Sequence, residues 1–453
     1  MKILLIQPPK APATIGGEDF YIFEPLGLEY LASAVADSHD IKILDMRLEK
    51  GLEKTLSGFR PDIVGITSYT VNVNVSKGLL KAAKDWDPGV FTIIGGHHAT
   101  VSPEDFNGPF IDMVVMGEGV FSFKEIVRRL EKKEPLDGIP GTAYSKDGSI
   151  VKIPSEQAFD LDSLPFPARN FTGSYRNDYY IDWMRPLASI RTSKGCPFRC
   201  KFCALWKLTG GKYLTRKPEK IVEELSGINE KYVFFSDDES LIDAKRMTEL
   251  ARMIKDAGIK KHFFLYGRSD TVARHPELLA IWKKIGLERI FIGFEFFRDE
   301  DLQYVKKRSN IENNEKAIRI LQDLDIEINA SFMIRPEFVK KDFSDYRAYC
   351  KKVKLNYATY SVLTPLPGTE LWDEVKEEMI TRNYDFFDFL HTLLPTSLSL
   401  EEFYEEMYLL YKKGISFRQW LSFMKRFPLK EILPRIRKQN KILNQIRYAW
   451  RDY

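Results

Sequence analysis

The feature that most constrains this chain is a cluster of three cysteines within eight residues. Cys196, Cys200 and Cys203 lie in the stretch Gly-Cys-Pro-Phe-Arg-Cys-Lys-Phe-Cys, and only one other cysteine occurs among the 453 residues. Three thiolates without a fourth nearby cysteine or histidine leave a tetrahedral zinc site incomplete. A 4Fe-4S cluster can instead take three thiolates and keep its fourth iron open for a small molecule. Buried cysteines are common core residues, but this spacing favours a cluster with the three cysteines as catalytic metal ligands.

The spacing Cys-x3-Cys-x2-Cys, with Phe202 before the last cysteine, resembles the signature of the radical S-adenosylmethionine enzymes. The resemblance implies that the open iron binds the amino and carboxylate groups of S-adenosylmethionine. It also implies one-electron reduction, from a donor such as flavodoxin or ferredoxin, which cleaves the cosubstrate to a 5′-deoxyadenosyl radical. Phe202 is expected to offer backbone contacts to the adenine.

Short apolar runs alternate with helical patterns over residues 1–140. Strands are predicted at residues 2–7, 41–45, 62–67, 90–95 and 113–116, with helices at 26–36, at 76–84 and from Phe123. Alternating strands and helices predict a doubly wound, Rossmann-like parallel sheet, which binds ligands at the carboxyl ends of its strands.

Glycine-containing loops follow the fourth and fifth predicted strands: Gly-Gly-His-His-Ala-Thr at 95–100 and Gly-Glu-Gly at 117–119. Such loops alone are ordinary turns. Ahead of the cysteine cluster, they resemble the cobalamin-binding domain of one subclass of these enzymes. The resemblance implies cofactor contacts from Thr67, Ser68, Thr70, Gly95, Gly96, His97, Gly117 and Glu118. The chain has no Asp-x-His-x-x-Gly motif, which implies a cobalt that is not held by a protein histidine in that way.

Residues 141–185 contain spaced prolines and are predicted to be a linker. Between 186 and 375, six strand-like runs alternate with five helical stretches. The strands are predicted at 187–191, 232–235, 262–266, 289–294, 328–334 and 360–363. This alternation predicts a partial (β/α)6 barrel, in which functional residues lie at the carboxyl ends of the strands.

Charged side chains follow three of these strands: Asp237 and Asp238, then Arg268, then Glu295. Carboxylates suit the ribose hydroxyls and the sulfonium of S-adenosylmethionine, and a guanidinium suits its carboxylate. The resemblance implies that Glu295 and Arg268 contact S-adenosylmethionine and places the two aspartates at the matching turn. The alternative for each is a solvated loop charge. Cys350, in a helical stretch, is expected to be a buried structural thiol.

The C-terminal region, 376–453, is predicted to be helical and basic. Ser399 and Glu402 form a capping-box pattern before a helix that extends to Lys412. From Tyr411 to the end there are twelve Lys and Arg against two acids, interleaved with apolar residues that include Phe417, Trp420, Leu421, Phe423 and Met424. This composition suits peripheral contact with an anionic membrane surface. Packing against the barrel and RNA binding are the alternatives; no nucleic acid is expected, because the N-terminus lacks the cysteine-bearing domain of RNA methylthiolation enzymes.

The domain pair implies a cytoplasmic, cobalamin-dependent C-methyltransferase that carries a 4Fe-4S cluster, S-adenosylmethionine and cobalamin. No apolar run reaches the length of a membrane span, and the sparse cysteines indicate a reducing compartment. The stretch Leu-Pro-Thr-Ser-Leu-Ser-Leu-Glu-Glu-Phe at 394–403 resembles methylases of hopanoid lipids, which implies a hydrophobic small-molecule substrate. The alternatives are an oxidative cyclase of the anaerobic magnesium-protoporphyrin ester type and a non-catalytic cobalamin or redox sensor.

Overall fold

The computed structural model describes residues 1–155, 159–355, 358–414 and 427–453. The strands of the N-terminal half are β1 (Lys2–Gln7), β2 (Tyr21–Ile22), β3 (Asp40–Asp45), β4 (Ile63–Thr67), β5 (Phe91–Gly95), β6 (Met113–Val115), β7 (Thr142–Lys146) and β8 (Ser149–Ile153). The helices are α1 (Leu26–Val35), α2 (Leu52–Phe59), α3 (Val73–Trp86), α4 (His97–Val101) and α5 (Gly119–Lys132).

Seven of these strands form one sheet in the order β3-β1-β4-β5-β6-β7-β8. The first five are parallel, and apolar cores lie on both faces of the sheet, as predicted for a doubly wound fold. The strand order reverses between β1 and β4, so a ligand crevice is expected beyond their carboxyl ends. The antiparallel hairpin β7–β8 continues the sheet to Ile153, so the predicted domain boundary at residue 140 divides one sheet.

The second half contains β9 (Tyr180–Ile181), β10 (Leu187–Ile190), β11 (Ser193–Lys194), β12 (Leu214–Thr215), β13 (Tyr232–Phe235), β14 (His262–Gly267), β15 (Leu287–Glu295), β16 (Glu327–Ile334) and β17 (Ala358–Val362). Its helices are α6 (Leu205–Leu208), α7 (Pro218–Gly227), α8 (Ala244–Asp256), α9 (Ser269–Arg274), α10 (Pro276–Lys284), α11 (Asp299–Tyr304), α12 (Ile311–Asp323), α13 (Lys340–Lys352) and α14 (Glu370–Val375).

Six parallel strands form an open sheet in the order β10-β13-β14-β15-β16-β17. This confirms the partial (β/α)6 barrel, with all six strands found where they were predicted. One large apolar cluster joins the outer face of the sheet to the helices, and Trp282 at its centre is fully buried. Cys350 belongs to this cluster, with its Sγ 3.4 Å from the Tyr360 hydroxyl, so the prediction of a buried structural thiol is confirmed.

The segment predicted as a linker joins the two domains through buried ion pairs. Arg176 pairs with Glu24 of the first domain and lies 2.6 Å from Glu230 of the barrel. Arg169 lies 2.7 Å from Glu224 on α7, and β9 pairs with β2 of the first domain. The two domains are therefore held together by buried charges as well as by the chain itself.

The C-terminal region forms α15 (Leu400–Gly414) and α16 (Leu429–Tyr448). The Ser399 and Glu402 side chains each accept a hydrogen bond from the other's backbone N–H, which confirms the capping box. Buried apolar residues hold both helices against the barrel: Phe403, Tyr404, Met407, Ile442 and Ile446. The described part therefore packs on the barrel, whereas Phe417, Trp420, Leu421, Phe423 and Met424 lie outside the described residues. No described helix is long and apolar enough to cross a membrane.

Candidate active site

The three cysteines lie on a loop at the carboxyl end of β10. The loop begins at Gly195, whose φ of +90° favours glycine and where a Cβ would overlap the carbonyl oxygen of Lys212. The Gly195 N–H donates a 2.6 Å hydrogen bond to Asp238. Further along, the Lys201 N–H donates to the Val305 carbonyl at 3.0 Å. These two hydrogen bonds hold the loop at Gly195 and at Lys201.

The loop keeps its thiols close to one cation. Cys200 is buried, Cys196 and Cys203 are half-buried, and Arg268 Nη1 lies 3.9 Å from Cys200 Sγ. Burial raises the pKa of Cys196 and raises that of Cys203 to about 12, so both are neutral thiols until a metal displaces their protons. Among the described residues, no three His, Cys, Asp or Glu side chains converge on a single metal ion. Three soft thiol donors beside a guanidinium fit a cluster with one thiolate on each of three irons.

Arg268 follows β14 and is the hub of this site. Its guanidinium lies 3.7 Å from the ring centroid of Phe198 in the cysteine loop. It donates to Asp270 at 2.8 Å and to the Lys307 carbonyl at 2.6 Å. Because the guanidinium is fixed by these partners, its positive charge stays beside the cysteines. The structure thus brings the predicted residue Arg268 to the cluster loop.

Glu295 ends β15 in the left-handed region, with φ of +66°, at an irregularity in the pairing of β15 with β16. Its carboxylate accepts a 2.6 Å hydrogen bond from Lys307, and both side chains are largely buried. Gly293 leaves the space that this carboxylate occupies. Non-glycine residues rarely adopt this conformation without a structural or functional reason. Glu295 is therefore turned into the site as a paired carboxylate, and its contact with S-adenosylmethionine stays a prediction.

The acidic residues after β13 shape the cysteine loop. Asp237 is buried and accepts hydrogen bonds from the N–H groups of Thr192 and Ser193, at 2.7 and 2.9 Å, and from the Thr192 hydroxyl. Asp238 is half-buried, and one of its oxygens accepts from Gly195. Glu239 accepts from the Arg268 N–H at 3.2 Å, and burial raises its pKa to about 7. Asp237 and Glu239 thus position the backbone, while Asp238 also reaches the cleft.

On the first domain, the loops after β4 and β5 pack directly on each other. Gly96 has φ of +102°, and a Cβ there would lie 2.8 Å from Thr67 Oγ1 and from the Ser68 backbone. The Ser68 N–H donates to the Gly95 carbonyl at 2.8 Å, and the Ser68 side chain is fully buried. The Ser68 hydroxyl donates to the Tyr69 carbonyl at 3.1 Å, and contact of the cofactor with Ser68 stays a prediction.

Thr70 also turns inward. Its hydroxyl lies 3.1 Å from Nδ1 of the buried His98, whose Nε2 lies 2.9 Å from Asp105. The Gly117 N–H donates to the Thr100 hydroxyl at 2.9 Å. These hydrogen bonds stabilise the loops that follow β4, β5 and β6. Contact of the cofactor with Thr70 stays a prediction.

Glu118 connects the two domains at the site. Its Oε2 lies 2.9 Å from Lys194 Nζ and 3.1 Å from Arg191 Nη1, and both cations precede Cys196 by a few residues. Burial opposes ionisation, but the two cations hold the pKa of Glu118 below its usual value. The loop that was predicted to contact cobalamin is therefore joined by charge to the strand end that carries the cysteines.

Four side chains beside these loops lie near one another: Tyr21, Tyr69, His97 and Tyr266. Tyr69 is 52% exposed, yet burial raises the pKa of its hydroxyl, and the same holds for Tyr21 at 44% exposure. A side chain that is accessible but desolvated lies in a narrow cavity rather than on open surface. Burial, with Lys194 and Arg191 nearby, lowers the pKa of His97 to about 4, and its ring lies 5.0 Å from that of Tyr69. The lining is therefore neutral near pH 7.

Sequence reasoning missed several of these residues. Arg191 and Lys194 lie in the run Arg-Thr-Ser-Lys-Gly-Cys, and their closeness to Cys196 was a usable signal. Tyr69 stands between the predicted Ser68 and Thr70, where only the polar neighbours were considered. No sequence pattern indicated Lys307, because only the folded path of the chain brings it to Glu295.

Two family models match the chain. The model described as B12 binding domain matches residues 13–127, and the one described as Radical SAM superfamily matches residues 190–350. The hopanoid C-3 methylase of Methylococcus capsulatus is 33% identical over 425 residues, which cover 91% of this chain and 81% of that protein. An uncharacterized methyltransferase of Pyrococcus horikoshii is 30% identical over 92% of both chains. The anaerobic magnesium-protoporphyrin IX monomethyl ester cyclase of Cereibacter sphaeroides is 27% identical, covering 89% of this chain and 68% of that one.

Two solved structures share the fold. The cobalamin-dependent S-adenosylmethionine radical enzyme OxsB, with aqua-cobalamin and S-adenosylmethionine bound, superposes with a TM-score of 0.73 at 16% identity, covering 94% of this chain and 70% of that one. The radical S-adenosylmethionine methyltransferase TsrM from Kitasatospora setae, with cobalamin and a [4Fe-4S] cluster bound, has a TM-score of 0.66 at 18% identity, covering 83% and 78%. Both therefore share the fold of this chain over most of its length.

Proposed function

This chain belongs to the radical S-adenosylmethionine enzymes with an N-terminal cobalamin-binding domain, and from that membership we propose that it methylates an unactivated carbon of a hydrophobic substrate. The observation that best supports this proposal is the ion pair of Glu118 with Arg191 and Lys194. It holds the cobalamin-domain loops and the cysteine loop on opposite sides of one neutral cleft. Two similar proteins are named methyltransferase or methylase. When bound, the cluster with S-adenosylmethionine supplies a hydrogen-abstracting radical, and cobalamin supplies the methyl group.

The cysteine loop is proposed to hold the cluster through Cys196, Cys200 and Cys203. Arg268 offsets the negative charge of the thiolates, and Phe198 keeps the guanidinium in place. Phe202 packs partly buried against the barrel core, which leaves its backbone available to an adenine. Asp237 is proposed as a positioning residue that shapes the end of β10.

S-adenosylmethionine is proposed to lie between Asp238 and Glu295. Asp238 uses one oxygen for Gly195, and its Oδ1 accepts no hydrogen bond within the described residues, so it can accept one from a ligand. Glu295 is held by Lys307 and has further acceptor capacity on its second oxygen. These carboxylates orient a cation-bearing, hydroxyl-rich ligand.

Cobalamin is proposed to lie against Tyr69 and His97 of the first domain. Both project into the cleft beyond the carboxyl ends of the parallel strands, where doubly wound sheets bind ligands. Gly117, where a Cβ would have no atom within 4 Å, allows the backbone to approach a large cofactor closely, and contact with Gly95 and Gly96 stays a prediction. Neutral, desolvated rings at this surface exclude water from the space between the two domains.

An acidic reductant such as flavodoxin or ferredoxin is proposed to dock beside the cysteine loop. The exposed side chains of Arg199 and Lys207 stack on Trp206, and exposed Lys212 lies close by in the sequence. Opposite charge favours encounter and weakens as salt screens it. We expect Arg199→Glu to slow reduction by flavodoxin and to leave reduction by dithionite unchanged.

Peripheral membrane contact is proposed for the C-terminal helix. Leu433 on α16 is 64% exposed, with exposed Lys430 and Arg437 beside it, whereas Ile442 and Ile446 face the core. An exposed apolar side chain among cations suits an anionic lipid surface. We expect the purified chain to sediment with vesicles of anionic lipid and Leu433→Glu to reduce that fraction; sedimentation equal to that with neutral vesicles would reject the contact.

The test of the function is anaerobic reconstitution with iron, sulfide and cobalamin, followed by reduction with S-adenosylmethionine and lipid extracts. We expect 5′-deoxyadenosine and a product one CH2 unit heavier than its precursor. An oxygenation-type mass change would instead favour the cyclase chemistry named for the Cereibacter sphaeroides relative. Corrin binding without any 5′-deoxyadenosine, with every extract, would favour a sensor.

A further inference from the structure

The interior of the partial barrel is an accessible space. Successive side chains of a strand point to opposite faces. Those that face the outer helices are fully buried, among them Leu265, Ile292, Ala330, Phe332 and Val362. Of the alternating side chains that face the interior, Tyr266, Phe291, Asn329, Ser331 and Ser361 are only half-buried, whereas Phe234 and Phe264 are buried. Small closed barrels fill their interior with side chains, whereas this one leaves room for a ligand below the cleft.

One side of this interior is aromatic. The ring centroids of Phe234 and Tyr266 are 5.1 Å apart, and those of Tyr266 and Phe291 are 4.9 Å apart. Phe23 of the first domain extends the surface, because its ring stacks on Phe234 at 4.6 Å. These residues belong to an apolar cluster separate from the outer core. The wall runs from the first domain into the barrel and presents ring faces and edges rather than flexible aliphatic chains.

The opposite side carries neutral hydrogen-bonding groups. Within the described residues, the Asn329 amide and the Ser331 hydroxyl on β16 have no protein partner. On β17, the Thr359 hydroxyl donates to the Ala330 carbonyl at 3.2 Å and the Ser361 hydroxyl to the Phe332 carbonyl at 3.3 Å. Both hydroxyl oxygens therefore remain acceptors. This wall can recognise a hydroxyl or carbonyl group of a ligand.

Apart from Asp238, whose free oxygen is assigned above to S-adenosylmethionine, the charged groups around the described interior are already paired. Arg289 lies 2.7 Å from Asp182 and 3.4 Å from Glu327, at the amino end of the strands. At the other end, Lys307 lies 2.6 Å from Glu295. A ligand with its own charge would have to bury that charge without a free opposite charge, which is strongly unfavourable.

We propose that the substrate is an uncharged, multi-ring apolar molecule whose body packs on the aromatic wall and whose hydroxyl or carbonyl group meets Asn329. This inference rests on the methyltransferase function proposed above and narrows its substrate class. The aromatic rings add stacking and edge contacts to simple burial of apolar area. The long wall sets the orientation, and Asn329 sets the depth to which the molecule enters the barrel.

The test compares two probes of one skeleton, a pentacyclic triterpenoid alcohol and its carboxylic acid, by equilibrium binding to the reconstituted full-length holoenzyme before reduction. We expect the alcohol to bind at least tenfold more tightly than the acid. Phe291→Leu should weaken binding of the alcohol several-fold, whereas Thr248→Ala, on the exposed face of α8, should not. Asn329→Lys should reverse the preference, because it adds an unpaired cation to the interior.

A wild-type preference for the acid, an unchanged preference in Asn329→Lys, or no binding of either probe would overturn the inference. 5′-deoxyadenosine and methylated product are measured on the same preparation. Methylation of a charged molecule would reject the substrate class and leave the methyltransferase function intact. Binding of the alcohol without radical formation or methylation would reject the function and leave the neutral site standing.

Discussion

Lys194 Nζ lies 2.9 Å from Glu118 Oε2, and this pair joins the first domain to the strand end that leads into the cysteine loop. Arg191 shares the same carboxylate oxygen at 3.1 Å. Both cations are largely buried. The distance between the cobalamin-domain loops and the cysteine loop is therefore fixed partly by one carboxylate, which pairs with Lys194 and Arg191 rather than with a cysteine.

Replacing Glu118 by Gln should destabilise the chain and uncouple the domains. Two buried cations lose their partner, and removing one member of a buried ion pair costs about 3 kcal/mol. Urea unfolding monitored by fluorescence checks the stability loss. Glu125→Gln is the matched control, because Glu125 pairs with two arginines on the exposed surface of the same domain. Equal losses for the two variants would contradict the special role of Glu118.

Replacing Cys200 by Ala should remove the cluster, whereas Cys350→Ala should retain it. Cys200 lies on the loop, with Arg268 Nη1 3.9 Å away, and Cys350 is in the outer core beside Tyr360. Iron analysis after reconstitution should give about four irons per chain in Cys350→Ala and far fewer in Cys200→Ala. Iron at the wild-type level in Cys200→Ala would show that the loop is not the cluster site.

The elements could be predicted because their signals are local. All five parallel strands of the first sheet and all six barrel strands lie where apolar or alternating runs of the sequence predicted them. The hairpin β7–β8 was missed, because its residues are half-exposed and its antiparallel pairing completes a sheet that began far upstream. Its stability comes from neighbours, which composition does not reveal.

Only those site residues that directly follow a predicted strand, or that belong to the cysteine motif, could be predicted from the sequence. The cysteines, Arg268, Glu295 and Asp238 could be located because parallel strands bring their carboxyl ends together. The pairing of Glu295 with Lys307 could not be predicted, because it depends on the left-handed backbone conformation of Glu295 and on the path of the following loop. The full burial of Ser68 could not be predicted either, because a polar residue at a strand end can serve the backbone of the neighbouring loop.

Replacing Gly195 by Ala should lower cluster occupancy. The new Cβ would collide with the Lys212 carbonyl, and φ of +90° is unfavourable for alanine. Gly210→Ala is the matched control, because Gly210 also has positive φ, in the same segment, but has no atom within 4 Å of the new Cβ. The control should lose about 1 kcal/mol of stability and keep its iron. Loss of iron in both variants would attribute the effect to backbone strain alone.

Replacing Glu295 by Gln should weaken S-adenosylmethionine binding by about tenfold, the usual effect of losing one hydrogen bond to a charged group. Binding is measured calorimetrically on the reconstituted enzyme. Glu300→Gln, five residues on and with a 75% exposed side chain, serves as the control. Lys307→Met should also weaken binding, because it leaves Glu295 buried without its cation. Unchanged affinity in Glu295→Gln would show that this carboxylate only stabilises the fold.

The C-terminus should be released as pH rises. His391 is fully buried, with Nδ1 2.9 Å from Asp388 and Nε2 3.1 Å from Asp452. Burial opposes the charged form, but the two aspartates raise the pKa of His391 above its usual value. A raised folded-state pKa stabilises the fold fully below about pH 6.5, and this contribution is lost as pH rises through the higher folded value.

Replacing His391 by Asn should remove that pH dependence. Unfolding midpoints of wild type measured from pH 6 to 9 should fall through this window, whereas those of His391→Asn should start lower and change less. Asp452→Asn should fall between the two, because Asp388 still pairs with the histidine. Asp452 lies one residue before Tyr453, whose hydroxyl donates to the Thr392 carbonyl at 2.6 Å, so proteolysis of the terminal residues should increase over the same range. A wild-type midpoint that rises from pH 6 to 9 would contradict this assignment, since the charged histidine would then not be the stabilising form.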